Sequence, residues 1–233
     1  MKKIKNFNVL LLLSILITSC ATISYTPKVS LDVSTKTIKK SVSIEKFKDI
    51  SPIEDREKPF SGISVTNKEA LSNDLDIEVT NAITTDFSTN SVFKEISRRV
   101  ENPDYIIKGD ILKFKGVSEL SGYAKAGLGI FLASDILLGA TGQPIFLIGY
   151  IPVLTWYFGV PVRTNTSEIE IKLYLFDTKN NLIGTYIGKS QIKNSASMYN
   201  NNALAVPSQT NKAFSEAINQ IREQILNDIT KIE

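Results

Sequence analysis

The clearest apolar pattern in the chain lies in residues 168–175, where apolar and polar side chains alternate. The apolar members are Ile169, Ile171, Leu173 and Leu175. This two-residue period is that of a strand with one buried face and one wet face. The turn sequence Asp-Thr-Lys-Asn-Asn follows, and its Asn180 tolerates a positive φ. Residues 182–192 then alternate again, so we expect an antiparallel hairpin.

Three earlier segments also indicate strands: the first alternates at Val42 and Ile44, and the second is a short apolar run. They are residues 39–47, 92–96 and 105–115. Each is predicted to form a strand. Gly109 interrupts the third segment, and a glycine inside a strand often marks a bulge, so we expect a bulge there.

Two other segments repeat apolar residues at every third or fourth position, which is the spacing of one helix face. The first repeats Leu71, Leu75, Val79, Ile83 and Phe87, and its helix is expected from residue 67. The second repeats Phe214, Ile218, Ile221, Ile225, Ile229 and Ile232. The order of elements is strand, helix, two strands, an insertion, two strands and helix. We therefore expect an α+β fold, with an antiparallel or mixed sheet of four to five strands and two long amphipathic helices on one face. These elements form a single predicted domain over residues 41–233.

The insertion between the two strand pairs is apolar and occupies residues 116–166. Its second half, residues 144–162, contains nineteen residues without a charge. The segment does not alternate between apolar and polar residues, as membrane-spanning strands do. Gly129 and Ala133 match a small-residue pattern found where helices touch, whereas prolines divide the second half into short pieces.

Three roles remain open for this insertion. It packs against protein, since large exposed apolar patches usually mark a partner; or it lies in a membrane interface; or it spans a membrane as a helix. The candidate contact residues are Phe131, Phe146, Tyr150, Trp156, Tyr157 and Phe158. Asp135 stands alone among apolar residues, and we expect it at a solvent-facing turn or a helix cap.

The first twenty residues have the pattern of an export signal. Three lysines precede an apolar stretch of about ten residues, which is too short for a bilayer that needs ~20. The stretch Ile17-Thr18-Ser19-Cys20 at its end resembles the bacterial lipobox. That resemblance implies a lipoprotein signal peptide at 1–20 and a covalent lipid on Cys20. The following residue is Ala21 rather than Asp, which by the same resemblance implies sorting to the outer membrane.

Residues 21–40 are rich in Ser, Thr and Lys and lack a long apolar face. We predict that they tether the lipid to the folded body. Fully extended, such a tether reaches at most ~65 Å.

Composition narrows the chemistry that the chain can perform. The 27 basic residues exceed the 24 acidic ones only through the three signal lysines, so the mature chain carries 24 of each sign. A neutral body argues against nucleic acid as a partner, because that binding needs a basic surface. The chain has no histidine, and its one cysteine is the predicted lipid site. The commonest general base, thiolate chemistry and cysteine metal sites are therefore excluded, and we expect neither enzyme activity nor a cofactor besides the lipid.

The segments 102–116 and 168–186 resemble a wider group of envelope lipoproteins and periplasmic domains. The group includes the curli-secretion lipoprotein family (CsgG), the amino-terminal domain of TolB, and small lipoproteins that activate penicillin-binding proteins or accompany ABC transporters. The residues that carry the resemblance are Asp104, Tyr105, Gly109, Ile111, Asp177 and Gly184. It covers residues 40–193 without the insertion, and it implies the fold and a scaffold or adaptor role.

Together these patterns predict a non-enzymatic lipoprotein, anchored in the outer membrane and facing the periplasm. Its expected role is that of an accessory or scaffold subunit of an envelope complex for transport, secretion or cell-wall synthesis. The expected partners are the membrane, through the lipid anchor, and envelope proteins or further copies of the chain. Two alternatives remain open: an oligomeric export pore of the curli-secretion kind, and a periplasmic binder of a lipid or another apolar ligand.

Overall fold

The observed elements follow the predicted order of strand, helix, two strands, insertion, two strands and helix. The computed structural model describes residues 24–30, 37–59, 62–199 and 205–229. Within them the strands are β1 (Ile38–Ile44), β2 (Lys48–Asp49), β3 (Ile63–Ser64), β4 (Phe93–Ser97), β5 (Tyr105–Leu120), β6 (Arg163–Asp177) and β7 (Leu182–Ala196). The α-helices there are α1 (Leu75–Thr89), α2 (Gly122–Thr141), α3 (Ile151–Leu154) and α4 (Ala205–Ile229). In the same residues 3-10 helices occur at Ile53–Arg56, Pro144–Tyr150 and Thr155–Phe158.

The core of the fold is a mixed sheet with the spatial order β4-β1-β5-β6-β7. Strand β1 pairs in parallel with both β4 and β5, whereas β5, β6 and β7 form an antiparallel meander. The two short strands β2 and β3 also pair with β5. The predicted α+β class is confirmed. The hairpin between β6 and β7 turns through Asn180, whose φ of +63° is the left-handed conformation expected there.

Strand β5 runs continuously through Gly109, and its register shift against β6 lies between Ile111 and Lys113 instead. A Cβ atom at position 109 would collide with the buried ring of Phe47. The glycine therefore makes room for an aromatic side chain that packs against the strand. The bulge predicted at this residue is wrong, because local sequence does not reveal which distant side chain approaches the backbone.

The core lies between one face of the sheet and the apolar stripes of α1 and α4. All four alternating apolar residues of β6 are at most 1 % exposed. The helix residues buried in the same core are Leu75, Val79, Ile83 and Phe87 on α1 and Phe214, Ile218, Ile221 and Ile225 on α4. Each such side chain contributes ~1.5–3 kcal/mol to folding by leaving water. Both helices lie on one face of the sheet, as predicted; the side chain of Ile229 and all of Ile232 are outside the described part of the chain.

Helix α1 begins at Leu75 rather than at residue 67. Residues 67–71 form a turn in which the Ala70 N–H donates to the Asn67 carbonyl (3.1 Å). The Ala70 carbonyl in turn accepts from the Tyr25 N–H (2.7 Å). The amino-terminal segment thus takes a backbone group that a longer helix would have needed, so a contact distant in sequence overrides the local period.

The amino-terminal segment 24–30 lies on the body. Tyr25 is 2 % exposed, and its hydroxyl donates to Oδ1 of Asn211 on α4 (2.9 Å). The Ser30 N–H donates to Oγ of Ser215, one turn farther along the same helix (2.7 Å). Part of the predicted tether therefore belongs to the folded body.

A buried ion pair joins α1 to α4. Nη1 of Arg222 lies 3.3 Å from each carboxylate oxygen of Asp86, and the two side chains are 5 % and 1 % exposed. Asn90 donates to Asp86 Oδ1 (2.8 Å), and Arg222 Nη2 donates to Asn219 Oδ1 (2.6 Å). These extra hydrogen bonds offset part of the cost of removing both charges from water. The pair therefore connects α1 to α4 through a buried contact.

Candidate functional site

The apolar insertion starts and ends at one edge of the sheet, where β5 ends and β6 begins; residues 121–162 are called the insertion from here on. The Ser121 N–H donates to the Val162 carbonyl (2.9 Å). Ser121 also caps α2, because its Oγ accepts from the Ala124 N–H (3.1 Å) and donates to the Pro161 carbonyl (2.9 Å). These bonds close the base of the insertion and hold both of its ends on the sheet.

The insertion consists of α2 and a return arm, Pro144–Phe158, that runs antiparallel to the helix. Near the base, the hydroxyls of Tyr123 and Thr155 are hydrogen-bonded (2.9 Å). Farther out, the rings of Phe131 and Tyr150 meet edge to face, with their centroids 4.7 Å apart. The two arms therefore pack against each other along their length.

Asp135 faces the return arm. Its Oδ1 accepts from the Tyr150 hydroxyl (2.7 Å), and the side chain is half-buried within α2. The prediction that it lies at a turn or a cap is wrong: Ser121 caps the start of the helix, and Gly142, at φ +68°, ends it. The only charged residue between positions 126 and 162 is thus hydrogen-bonded inside the insertion.

The outside of the insertion is apolar as well as its inside. Only 17 % of an apolar stretch of 18 residues in α2 is buried, although the helix has no polar face. The exposed apolar residues include Ile130, Ile136, Ile145, Ile148, Tyr157 and Phe158. A helix that is apolar all round is normally covered by protein or lipid. Within the described part of the chain, α2 is also long and apolar enough to cross a membrane, judged by length and composition alone.

The structure divides the six predicted contact residues into an inner and an outer group. Phe131 is 6 % exposed and packs between the two arms. Phe146, Tyr150 and Trp156 are half-buried. Tyr157 and Phe158 are 61 % and 87 % exposed, so they form part of the outer surface. The predicted lipid site, Cys20, lies outside the described residues.

Sequence reasoning about aromatic residues missed the aliphatic part of the outer surface. Ile136 and Ile145 are 70 % and 63 % exposed, on α2 and on the return arm. The signal that marks them is the absence of polar positions on every side of the helix. That signal identifies a segment that needs a cover, although it does not single out residues.

A shallow apolar groove of about 530 Å³ runs between α2 and the return arm. Ile130, Phe146 and Pro152 are among its lining residues, and Ser134 supplies a hydroxyl. The groove is open to the surface and its lining carries no charge. It suits an acyl chain or another apolar group better than a polar substrate.

The outer edge of β7 is covered by glutamine side chains of α4. Gln224 accepts from the Ile187 N–H (3.2 Å) and donates to the Ile187 carbonyl (2.8 Å). Gln220 makes the same pair of bonds with Lys189, both of 3.0 Å. An exposed strand edge invites pairing with another strand, so these bonds close the edge at two positions against strand addition.

The sheet face away from α1 and α4 carries ion-paired side chains. Lys113 pairs with Glu168, and this hydrogen bond raises the pKa of the lysine. Asp55 lies near them, and burial raises the pKa of its carboxyl group. Among the residues that the structure describes, no three His, Cys, Asp or Glu side chains come together as a metal site. This face of the sheet therefore presents polar side chains of both charges.

The chain aligns with solved structures at low sequence identity. A Xanthomonas campestris protein, XCC0632 of family DUF330, aligns with a TM-score of 0.48 and 10 % identity, over 90 % of this chain and 96 % of that one. A candidate lipoprotein from Caulobacter crescentus CB15 aligns with a TM-score of 0.29 and 10 % identity, over 56 % of this chain and 70 % of that one. No family model and no curated protein matches the sequence. These likenesses concern the fold and assign no activity.

Proposed function

We propose that the chain is a lipid-anchored lipoprotein of the bacterial outer membrane that faces the periplasm. In this role it is a non-enzymatic accessory or scaffold subunit of an envelope complex for transport, secretion or cell-wall synthesis. It acts by holding surfaces in place, through the Cys20 lipid, the insertion and the polar face of the sheet. The partners are the membrane and envelope proteins or further copies of the chain.

One observation carries this proposal: the insertion exposes apolar residues that the fold does not need. Phe158 is 87 % exposed and Ile136 is 70 % exposed, on a segment fixed to the body mainly at its base. Soluble monomers rarely keep so continuous an apolar surface in water, because its burial against a partner or lipid is favourable. Contact with a partner or with lipid therefore explains this apolar surface better than an enzymatic role does.

The anchor is tested first, by the Cys20→Ser variant in cells. We expect an unprocessed precursor, because signal removal in lipoproteins follows lipid attachment to the cysteine. Immunoblots of membrane and soluble fractions measure processing and location together. Ser19→Ala, which keeps a small residue beside the cysteine, is the matched control and should mature normally. Normal maturation of Cys20→Ser would contradict the proposal.

The accessory role is tested by photo-crosslinking in intact cells. A crosslinking amino acid replaces Lys172, on the polar face of β6, in one strain and Phe158, in the insertion, in another. We expect at least one position to yield a discrete adduct with an envelope protein or a second copy. Adducts at neither position, together with unchanged envelope assembly after deletion of the gene, would argue against a subunit role.

A second candidate function is the binding of a lipid or another apolar ligand, and the groove of about 530 Å³ favours it. Mass spectrometry of purified protein would then show a copurified lipid that is lost on deletion of residues 126–160. The export-pore alternative has no comparable support, since its expected hairpin consists of strands and the insertion here is helical.

A further inference from the structure

We propose that the exposed apolar surface of the insertion contacts the acyl chains of the same bilayer that holds the Cys20 lipid. This inference rests on the proposed function, because it takes the lipid anchor as given. Lipid then covers the exposed apolar side chains of the insertion. The alternative is that a protein partner covers them.

The first step is where the described amino-terminal segment points. The Ser30 N–H contacts Ser215 of α4, and the Lys28 N–H contacts Asn211, one turn nearer the start of that helix (3.0 Å). From residue 30 to residue 28 the chain therefore moves toward the amino-terminal end of α4, and Tyr25 stays near that end because its hydroxyl also bonds Asn211.

The second step is that the amino-terminal end of α4 lies over the end of the sheet where β6 begins. Gln209, in the second turn of α4, donates to the carbonyls of Asn165 (3.2 Å) and Ile192 (2.9 Å). Asn165 is the third residue of β6, and Arg163, the first, directly follows the insertion. The amino-terminal segment and the insertion thus leave the body toward the same end.

The third step is distance. Ser24 is four positions after Cys20, so the lipid-bearing residue can lie at most ~14 Å from Ser24. Thr210 of α4 is hydrogen-bonded to Ser167 of β6 (3.0 Å), and from Ser167 to Arg163 the strand rises by ~13 Å. The anchor is therefore confined to the neighbourhood of the amino-terminal end of α4, at the end of the sheet where the insertion begins and ends. A free tether over residues 21–40 would have reached ~65 Å and set no such limit.

The fourth step is the chemistry along the insertion. Lys125, near the base, is paired with Glu119 (2.7 Å), and beyond it Asp135 is the only charge up to position 162. Asp135 points inward to Tyr150, as ionisable groups do at membrane depth. Trp156 and Tyr157 lie on the part of the return arm that is nearest the base. That is the headgroup level, which such rings prefer in membrane proteins.

Trp156 makes a direct test possible, because it is the only tryptophan in the chain. The mature lipidated protein is reconstituted in phosphatidylcholine vesicles, either with ordinary lipid or with lipid brominated in the part of the acyl chains next to the headgroups. Bromine quenches tryptophan only at contact. Because the ring is half-buried and lies at headgroup level, we expect a blue shift of the emission on reconstitution and a partial loss of its intensity in brominated vesicles.

A matched control moves the probe to the body. In the double variant Trp156→Phe and Ile53→Trp, the tryptophan replaces a residue that is 76 % exposed outside the insertion. The anchor is unchanged, so its emission should be the same in both kinds of vesicle. Equal quenching of this control would show that proximity alone gives the signal, and it would overturn the inference.

A second variant keeps Trp156 and puts a charge on the outer face of α2. Ile136→Glu should reduce the quenching of Trp156, whereas Ile53→Glu should not. Both proteins should still float with the vesicles through the Cys20 lipid. Unchanged quenching in Ile136→Glu would contradict the inference.

The outcomes separate this inference from the function on which it rests. Lipidated protein that floats with vesicles but shows no quenching by brominated lipid would overturn the lipid contact and leave the anchored accessory role standing. A crosslink from Phe158 to a single protein in cells, with no crosslink to lipid, would do the same. Mature protein without lipid on Cys20 would instead remove the proposed function itself.

Discussion

Helices α4 and α2 have similar lengths, 25 and 20 residues, but they distribute apolar side chains differently. Helix α4 buries one stripe against the sheet and turns polar residues such as Lys212 and Glu223 outward. Helix α2 buries a narrow stripe against the return arm and exposes apolar residues elsewhere. The body thus buries its own apolar side chains, whereas the insertion leaves apolar side chains exposed and needs a second surface to cover them. Substitutions in the body should therefore act on folding, and substitutions in the insertion on contact.

The largest effect is expected where the body buries charge. Asp86→Ala should lower the free energy of unfolding by ~3–5 kcal/mol, because it leaves the Arg222 guanidinium buried without its carboxylate. Denaturant unfolding followed by circular dichroism measures the loss. Glu170→Ala, which breaks the more exposed pair with Lys189 (3.1 Å), is the control and should cost under ~1 kcal/mol. Equal losses in both variants would mean that α4 is not fixed through this pair.

A glycine in each region gives the next largest contrast. A Cβ at Gly188 on β7 would collide with the Ala217 carbonyl of α4, so Gly188→Ala should cost ~1–3 kcal/mol as the helix is pushed off the strand. Gly139 on α2 has open space around it, and Gly139→Ala should be neutral or stabilise the helix by ~0.5–1 kcal/mol. Thermal unfolding of both variants measures the difference. A loss at Gly139 as large as at Gly188 would show that α2 is closely covered within the monomer.

The body could be predicted well from the sequence because its elements have a period. The alternation around Ile171 and the stripe around Ile218 each require one buried face, and the sheet and helices follow from that requirement. The details that were wrong all depend on contacts distant in sequence. Tyr25 takes a backbone carbonyl that an earlier start of α1 would have used, and the ring of Phe47 fills the space beside Gly109.

The insertion could be predicted only as a segment. Because apolar residues occupy all of its faces, no period distinguishes the side that packs from the side that is exposed. Phe131 and Phe158 therefore looked equivalent, although one is 6 % and the other 87 % exposed. The inward position of Asp135 depends on Tyr150 of the other arm, fifteen residues away, and had no local signal.

A smaller effect is expected at the link between β1 and β5. Oδ2 of Asp104 accepts from the Ser41 N–H (2.8 Å) and Oγ (3.0 Å), and these bonds hold the pKa of this exposed carboxyl below its ordinary value of 3.8. Asp104→Ala should cost about 1 kcal/mol or less. Since the folded pKa is lowered, the contribution is complete above the ordinary value and is lost as the pH falls through the folded pKa. The free energies of unfolding of the unaltered protein and of Asp104→Ala should thus differ at pH 6 and become equal in acid. A difference that grows in acid would contradict this assignment.

The smallest effect on folding is expected where the exposed surface is largest. Phe158→Ser should change the free energy of unfolding by less than ~0.5 kcal/mol, because an 87 % exposed ring loses almost nothing when it is replaced. Phe87→Ser, at a fully buried ring of α1, should cost ~3–5 kcal/mol. Unfolding in mild detergent measures both values, and light scattering after detergent removal measures association. Because water disfavours the exposed ring, Phe158→Ser should associate less than the unaltered protein. A large loss of stability without any change in association would mean that Phe158 belongs to the fold, and the division between body and insertion would fail at its most exposed residue.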